Sequence, residues 1–190
     1  MATRAGSARE RLLGAAARLF YANGVAATGI DAIIAEAGVA KMSLYNNFAS
    51  KDELVRAYIE ARHEEWLGLY RARLTHATTA EQGVLAVFDA YIDHVEAAYE
   101  RGFRGCGLLN AAAELPAGSP GREAVRRHKE QVESILRGHL KEMASTEEAA
   151  GLAEHLAFVL EGAVSRAGLE GCSERLLHAR SIAETLLAGS

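Results

Sequence analysis

At 190 residues the chain is long enough for one ordinary domain, or for a small domain beside a medium one. Hydrophobic residues make up 49% of it, alanine recurs throughout, and the two prolines are confined to Pro116 and Pro120, a composition that favours helices over strands. The formal charge of −4 is uneven: residues 1–51 hold six basic and three acidic side chains and the remainder fifteen and twenty-two, so a nucleic-acid partner would meet the head and not the body.

No eighteen-residue apolar run is present, so no membrane span is expected. The charged start, with Arg4, Arg9, Glu10 and Arg11, lacks the apolar centre of a signal peptide. A cytoplasmic protein is expected, with Cys106 and Cys172 reduced and no partner in a membrane.

Residues 1–6 read as a mobile arm carrying Arg4. Ser7 and Glu10 have capping-box spacing and open a helix to about residue 22, whose inward stripe is Leu12, Leu13, Ala16, Leu19 and Phe20. Asn23-Gly24 stops it. Thr28 to Asp31 reads as a second box, opening a helix that Gly38 ends at a tight corner. Residues 40–47 then form a short amphipathic helix, with Leu44 and Phe48 four apart and facing inward.

Lys41, Met42, Ser43, Tyr45, Asn46 and Asn47 are left pointing elsewhere. They offer a cation, a thioether, a hydroxyl, a phenol and two amides, groups suited to phosphate oxygens and base edges. In a major groove, Lys41, Met42 and Ser43 would meet base edges from the N-terminal end of the helix. Tyr45 and Lys51 would meet phosphates, and so would Thr28 and Gly29 at the start of the preceding helix. Ser50 to Glu53 is a third box.

A long helix follows to about residue 76, then one over 81–100, a short small-residue helix over 106–115, a loop around Pro116 and Pro120, and long helices over 122–143, 145–168 and 173–187. The body's candidate ligand-lining residues are Trp66, Tyr70, Phe88, Tyr91, His94, Tyr99, Phe103, Asn110, Glu114 and His128. The small side chains of residues 106–115 would leave room beside these aromatics, and Asn110 and Glu114 share a face. A neutral or cationic, largely apolar compound would suit such a cavity. The last two helices carry more apolar positions than a small body needs, among them Leu152, Val159, Leu177, Ile182 and Leu186.

Over about residues 8–58 the chain resembles the TetR (tetracycline-repressor-type) family of transcriptional regulators. The resemblance rests on Thr28-Gly29-Ile30 with Ala35, then Gly38-Val39, Lys41, Ser43-Leu44-Tyr45, Phe48 and Lys51. It departs at Ala40, where many members carry a capping Ser. The resemblance implies an all-α protein of about nine helices: a three-helix helix-turn-helix domain over 1–51 and a larger ligand-binding and dimerisation domain over 52–190. It further implies a homodimer through the two C-terminal helices, palindromic double-stranded operator DNA as partner, and a small-molecule effector of unstated identity. Tyr45 and Lys51 stand where the family makes phosphate contacts.

An enzyme is not expected, nor a cofactor or metal. Gly102, Gly105 and Gly107 do not follow a strand, as a phosphate-cradling loop requires. Glu60 and His63 form one Glu-x-x-His pair where a di-metal bundle needs two. The alternatives are an all-helical small-molecule- or metal-binding enzyme, and a regulator released by a protein partner without a ligand.

Overall fold

The computed structural model describes residues 6–97 and 102–189, and those residues form nine α-helices and no strand. Arg4 and Tyr99 lie outside the described residues. The head begins with α1 (Ala8–Asn23), α2 (Ile30–Ala37) and α3 (Lys41–Asn47). There follow α4 (Lys51–Leu74), α5 (Ala80–Glu96), α6 (Gly107–Ala113), α7 (Pro120–Leu140), α8 (Thr146–Glu170) and α9 (Glu174–Ala188). The expected end of the fifth helix, residue 100, is outside the described residues.

Local chemistry sets most of the starts. Ser7 and Glu10 form the expected capping box on α1, and Ser145 and Glu148 form another on α8. Ser50 Oγ accepts the Glu53 N–H at the start of α4. The box at Thr28 does not form: the N-cap of α2 is Gly29, which has no side chain to bond with. Thr28 turns inward instead. Its hydroxyl donates to the Gly24 carbonyl at 2.6 Å and the residue is 2% exposed. Gly38 ends α2 at φ 61°, a left-handed corner that a side chain would strain.

The chain divides into two compact units, Met1–Arg62 with Gly107–Val125, and His63–Cys106 with Arg126–Ser190. This differs from a partition at residue 51. The start of α4, all of α6 and the start of α7 group with the head, and the small residues of α6 are the reason. A Cβ on Gly107 would lie 2.9 Å from Tyr58 Oη and 3.1 Å from the Tyr21 ring, and Ala111 and Ala112 are buried. Small side chains here permit close packing on α1, not an empty cavity.

In the first unit, Leu12, Ala16, Phe20, Ile33, Leu44, Phe48, Leu54 and Tyr58 are buried together with the small residues of α6. Phe20 and Tyr58 meet edge to face at 5.5 Å, and the Arg9 guanidinium sits 5.1 Å over the Phe48 ring. In the second unit, Val84, Val87 and Phe88 of α5 join Leu136 and Leu140 of α7, Leu156 and Leu160 of α8 and Leu176 of α9 in one core. There α5 packs on α8 and α9, and α8 on α9.

Candidate functional site

The outward face of α3 is set by one buried side chain within the helix and one just past its end. Leu44 is fully buried, and Phe48, just past the helix end, is 1% exposed. With those two pinned inside, Met42 is left 69% and Tyr45 50% exposed, and Lys41 and Asn46 also face solvent. A thioether and a phenol this far out of a folded core are poor choices for a free surface and good ones for a groove that covers them. Lys41 pairs with Asp31 at 3.2 Å, but both side chains are largely exposed, so the pair restrains Lys41 weakly. Ser43, Asn47 and Lys51 are half-buried, and Asn47 donates to the Ser43 carbonyl at 2.7 Å. Ala40 is the N-cap of α3 and provides no side-chain bond. Gly29 is exposed at the start of α2, whereas the Thr28 hydroxyl is engaged inside and is not available to a phosphate. Of the nine residues expected at a DNA surface, Thr28 is therefore the one whose side chain is withdrawn.

The turn between α1 and α2 is held by a residue expected elsewhere. Glu114 accepts the Val25 N–H at 3.1 Å and the Ala26 N–H at 2.6 Å. Gly24 makes this possible, with φ 93° and a hydrogen where a Cβ would lie 2.6 Å from Glu114 Oε1. Asn110 and Glu114 were expected to line a ligand site with the body aromatics. Both are exposed members of the first unit, and Glu114 is committed to backbone amides of the head, which removes the pair from that site.

The remaining candidates converge in the second unit. Trp66 stacks on Tyr70 at 5.7 Å, lies 5.3 Å from Tyr91 and meets His128 edge to face at 5.5 Å. His128 Nδ1 is 2.8 Å from His63 Nδ1, so one of the two nitrogens carries the proton between them. Tyr91 Oη lies 3.4 Å from His128 Nε2, and Tyr70 Oη lies 2.7 Å from His139 Nε2. Phe88 is fully buried in the same core, and His94 meets Phe103 at 6.4 Å.

Charge enters this cluster as a pair. Lys129 Nζ lies 2.6 Å from Glu161 and 5.6 Å over the Tyr91 ring. Burial opposes the charge on Lys129, but Tyr91, Cys106 and Glu161 around it more than offset that and raise its pKa. Burial is also the main reason the Tyr91 phenol is held well above its ordinary range. It lowers the His128 pKa to about 3, with Lys129, His63 and His94 adding repulsion, so this imidazole stays neutral near pH 7.

His63, Lys129, His139 and Glu161 were not among the sequence candidates. A signal existed for some of them. His63, Trp66 and Tyr70 fall at i, i+3 and i+7, one face of α4, and His128 and His139 are separated by three turns of α7. Nothing comparable links Lys129 to Glu161 on another helix.

Two further features bear on partners. Gly151, His155, Phe158, Gly162, Ser165 and Leu169 recur every three or four residues along α8 and are all exposed, Phe158 at 67% and Leu169 at 84%. On α9, Leu177, Ser181, Ile182 and Thr185 are likewise exposed. The residues named carry no charged side chain, and Glu147 and Glu174 fall on the same stripes only at the N-terminal ends of the two helices. Among the described residues, no three His, Cys, Asp or Glu side chains group to hold a metal ion, and no helix is long and apolar enough to cross a membrane.

The family profile described as "Bacterial regulatory proteins, tetR family" matches residues 12–58. The chain is 30% identical to the HTH-type transcriptional regulator LmrA of Bacillus subtilis over 187 residues, covering 96% of this chain and 97% of that protein. It is 35% identical to the HTH-type transcriptional activator FasR of Mycolicibacterium smegmatis over 88 residues, a match that spans 46% of this chain and only 40% of that protein. Its fold matches SCO4454, a TetR-family transcriptional regulator from Streptomyces coelicolor, with a TM-score of 0.84 and 32% identity, covering 96% of this chain and 95% of that one.

Proposed function

The chain belongs to the TetR family of bacterial regulatory proteins, transcriptional regulators with a DNA-binding helix-turn-helix, and from that premise we propose that it is a homodimeric repressor, released from a palindromic operator by a small, largely apolar molecule bound in the body. The observation that carries the reading is α3: one fully buried anchor, Leu44, and an outward face of Lys41, Met42, Tyr45 and Asn46. Lys41, Met42 and Ser43 are assigned to base edges, and Tyr45, Lys51 and the backbone at Gly29 to phosphates. Asn46 and Asn47 lie where either role is open to them.

The largely apolar face of α8 and α9 supports the dimer. Phe158, Leu169, Leu177 and Ile182 are large and exposed, and Gly151 and Gly162 on the same stripe of α8 let a twin helix approach closely. A two-fold dimer sets two recognition helices about 34 Å apart, one turn of DNA, which is why the operator is expected to be a palindrome. Release is a population shift. The effector favours a dimer arrangement in which that spacing is lost, and about 100-fold induction needs roughly 2.7 kcal/mol of differential affinity. Action on DNA in the cytoplasm follows from the same reading.

The test is selection from a random double-stranded DNA library, followed by titration of the enriched site and a scrambled control at two salt concentrations. A palindrome bound ~10³-fold or more above the control, weakening with salt, is the expected result. Lys41→Ala and Tyr45→Ala should each weaken it about tenfold or more. Absence of any enriched sequence, or binding indifferent to both substitutions, overturns the assignment of α3.

A further inference from the structure

Among the polar atoms of the second unit that are shielded from solvent without a well-formed hydrogen bond to the described residues are Trp66 Nε1, a donor, and Glu161 Oε2, an acceptor; Lys129 Nζ is a third, and meets Glu161 Oε1 as an ion pair. Buried polar groups without partners are uncommon, and each costs stability until something supplies the bond. Neither Trp66 nor Glu161 is an isolated accident of packing. The Trp66 ring is 3% exposed and is boxed by Tyr70, Tyr91 and His128. Glu161 reaches the same cluster through Lys129, which lies against both its other carboxylate oxygen and the Tyr91 ring. The neighbouring polar groups do have partners: His128 bonds His63 at 2.8 Å, and Tyr70 bonds His139 at 2.7 Å. Apart from the Lys129–Glu161 ion pair itself, the cluster thus leaves one neutral donor, on Trp66, and one acceptor, on Glu161, open beside aromatic faces.

The charge balance narrows what can complete it. Lys129 is already neutralised by Glu161. An anion would have to displace Glu161 from Lys129 and leave two like charges side by side in a half-buried site, a poor exchange. A purely apolar molecule would leave both open atoms unsatisfied. What remains is a neutral, flat aromatic compound with a donor for Glu161 Oε2 and an acceptor for Trp66 Nε1.

Resting on the reading of the body as the effector-binding half, we infer that the effector is an uncharged planar aromatic molecule carrying both an N–H or O–H donor and a carbonyl-type acceptor, held by Trp66 and Glu161.

Trp66 is the chain's single tryptophan, so its emission reports this site alone. The full-length protein is titrated with 2-quinolinone, a neutral flat lactam with one N–H and one carbonyl. The controls are N-methyl-2-quinolinone, which lacks the donor, naphthalene, which lacks both groups, and 2-naphthoate, an anion of similar size. The expected result is a change in Trp66 emission with 2-quinolinone, at an affinity about tenfold or more above each control. Calorimetry on Trp66→Phe, checked for an unchanged melting curve, should show the lactam weakened about tenfold and naphthalene nearly unaffected. Equal binding of naphthalene and 2-quinolinone, tighter binding of 2-naphthoate, or no binding of the lactam up to its solubility limit overturns the inference; the last means that the two atoms hold water only. If Trp66→Phe does not fold, the wild-type series decides. The assay contains no DNA, so its failure leaves the operator reading standing, while a protein that binds the lactam but selects no DNA overturns the operator reading alone.

Discussion

The two compact units solve the problem of polar groups in opposite ways. In the first, the buried side chains are nearly all hydrocarbon apart from the phenols of Tyr21 and Tyr58, and the buried Thr28 hydroxyl is tied to a carbonyl four residues away. Its structure is set by short-range devices: the Ser7–Glu10 box, the Gly38 corner, and Leu44 four residues before Phe48. The second unit sets imidazoles, phenols and a half-buried ion pair in or against its core, and every one of those bonds joins residues far apart in the chain: Tyr70 to His139, His63 to His128, Lys129 to Glu161. A surface that must present one face to DNA is served by a plain, locally encoded core. The effector recognition we propose for the body requires polar groups in or against its core, and only long-range packing can bring them together.

The comparison is broken most severely at the buried anchor within α3. Leu44→Ala removes the only fully buried side chain of a seven-residue helix, and a loss of about 3 kcal/mol is expected. Urea denaturation followed by far-UV circular dichroism measures it, and operator binding should vanish with it. A loss under 1 kcal/mol would mean that α3 is not held from inside. In the body the matching lesion is Gly168→Ala. Its new Cβ would lie 2.5 Å from Gly105 Cα and N, backbone that cannot rotate away. Overpacking of this kind costs about 2 kcal/mol, more than the roughly 1 kcal/mol that alanine gains over glycine within a helix. A rise in melting temperature would show that the Gly105 segment yields.

The His128 and His139 imidazoles give the body a pH dependence, and the first unit contains no histidine. His128 has its folded pKa lowered to about 3, against 6.5 in an unfolded chain, and burial lowers His139 as well. Between those values the unfolded chain binds a proton that the folded one refuses. Stability is therefore full above about pH 6.5 and falls as the pH drops toward 3, by at most about 1.4 kcal/mol per unit for one group. From pH 7.5 to 5.5 about 1 to 1.5 kcal/mol should be lost, read from urea midpoints. His128→Gln should flatten that slope by about one proton, whatever its own stability. An unchanged slope would remove His128 as the cause.

How legible each unit was in the sequence follows from the same contrast. The helix starts at Ser7 and Ser145 were readable because cap and partner lie three residues apart. Leu44 and Phe48 were readable because helical period fixes their face. Thr28 was misread because its motif is equally compatible with an outward cap and an inward bond to Gly24, and only the packed turn decides. Glu114 was unreadable, since its partners Val25 and Ala26 lie 89 and 88 residues away. The small residues of α6 were legible as small, but not as a contact surface, because room and close approach look alike in one dimension. On α8 and α9 the excess of apolar positions was visible, yet Leu156 and Leu160 go inside while Phe158 and Leu169 stay out, a division that depends on which face α5 covers.

The Glu114 contact supplies a smaller effect that tests whether α6 serves the head. Glu114→Ala leaves the Val25 and Ala26 N–H groups without their acceptor, but the site is exposed and water can replace part of it, so on the order of 1 kcal/mol is expected. Amide hydrogen exchange at Val25 and Ala26 should quicken in this variant while exchange in α8 is unchanged. Uniform quickening in both would mean that the carboxylate supports the whole fold and not the turn.

Met42→Ala probes the opposite limit, a residue whose value lies outside the free molecule. At 69% exposure Met42 has little packing to lose, and no change in stability beyond about 0.5 kcal/mol is expected. Operator affinity is different. If the thioether is covered by a thymine methyl, losing its outer carbons should cost about 1 kcal/mol, near fivefold, on the selected sequence and almost nothing on scrambled DNA. Lys41→Ala also weakens the non-specific complex and reduces its salt dependence if the ammonium meets a phosphate; if it meets a base, only the specific complex suffers. Titrating both variants on both DNAs thus assigns each side chain to a base edge or a phosphate. A Met42→Ala protein that is less stable yet binds its operator unchanged would place this residue in the fold and withdraw it from the reading surface.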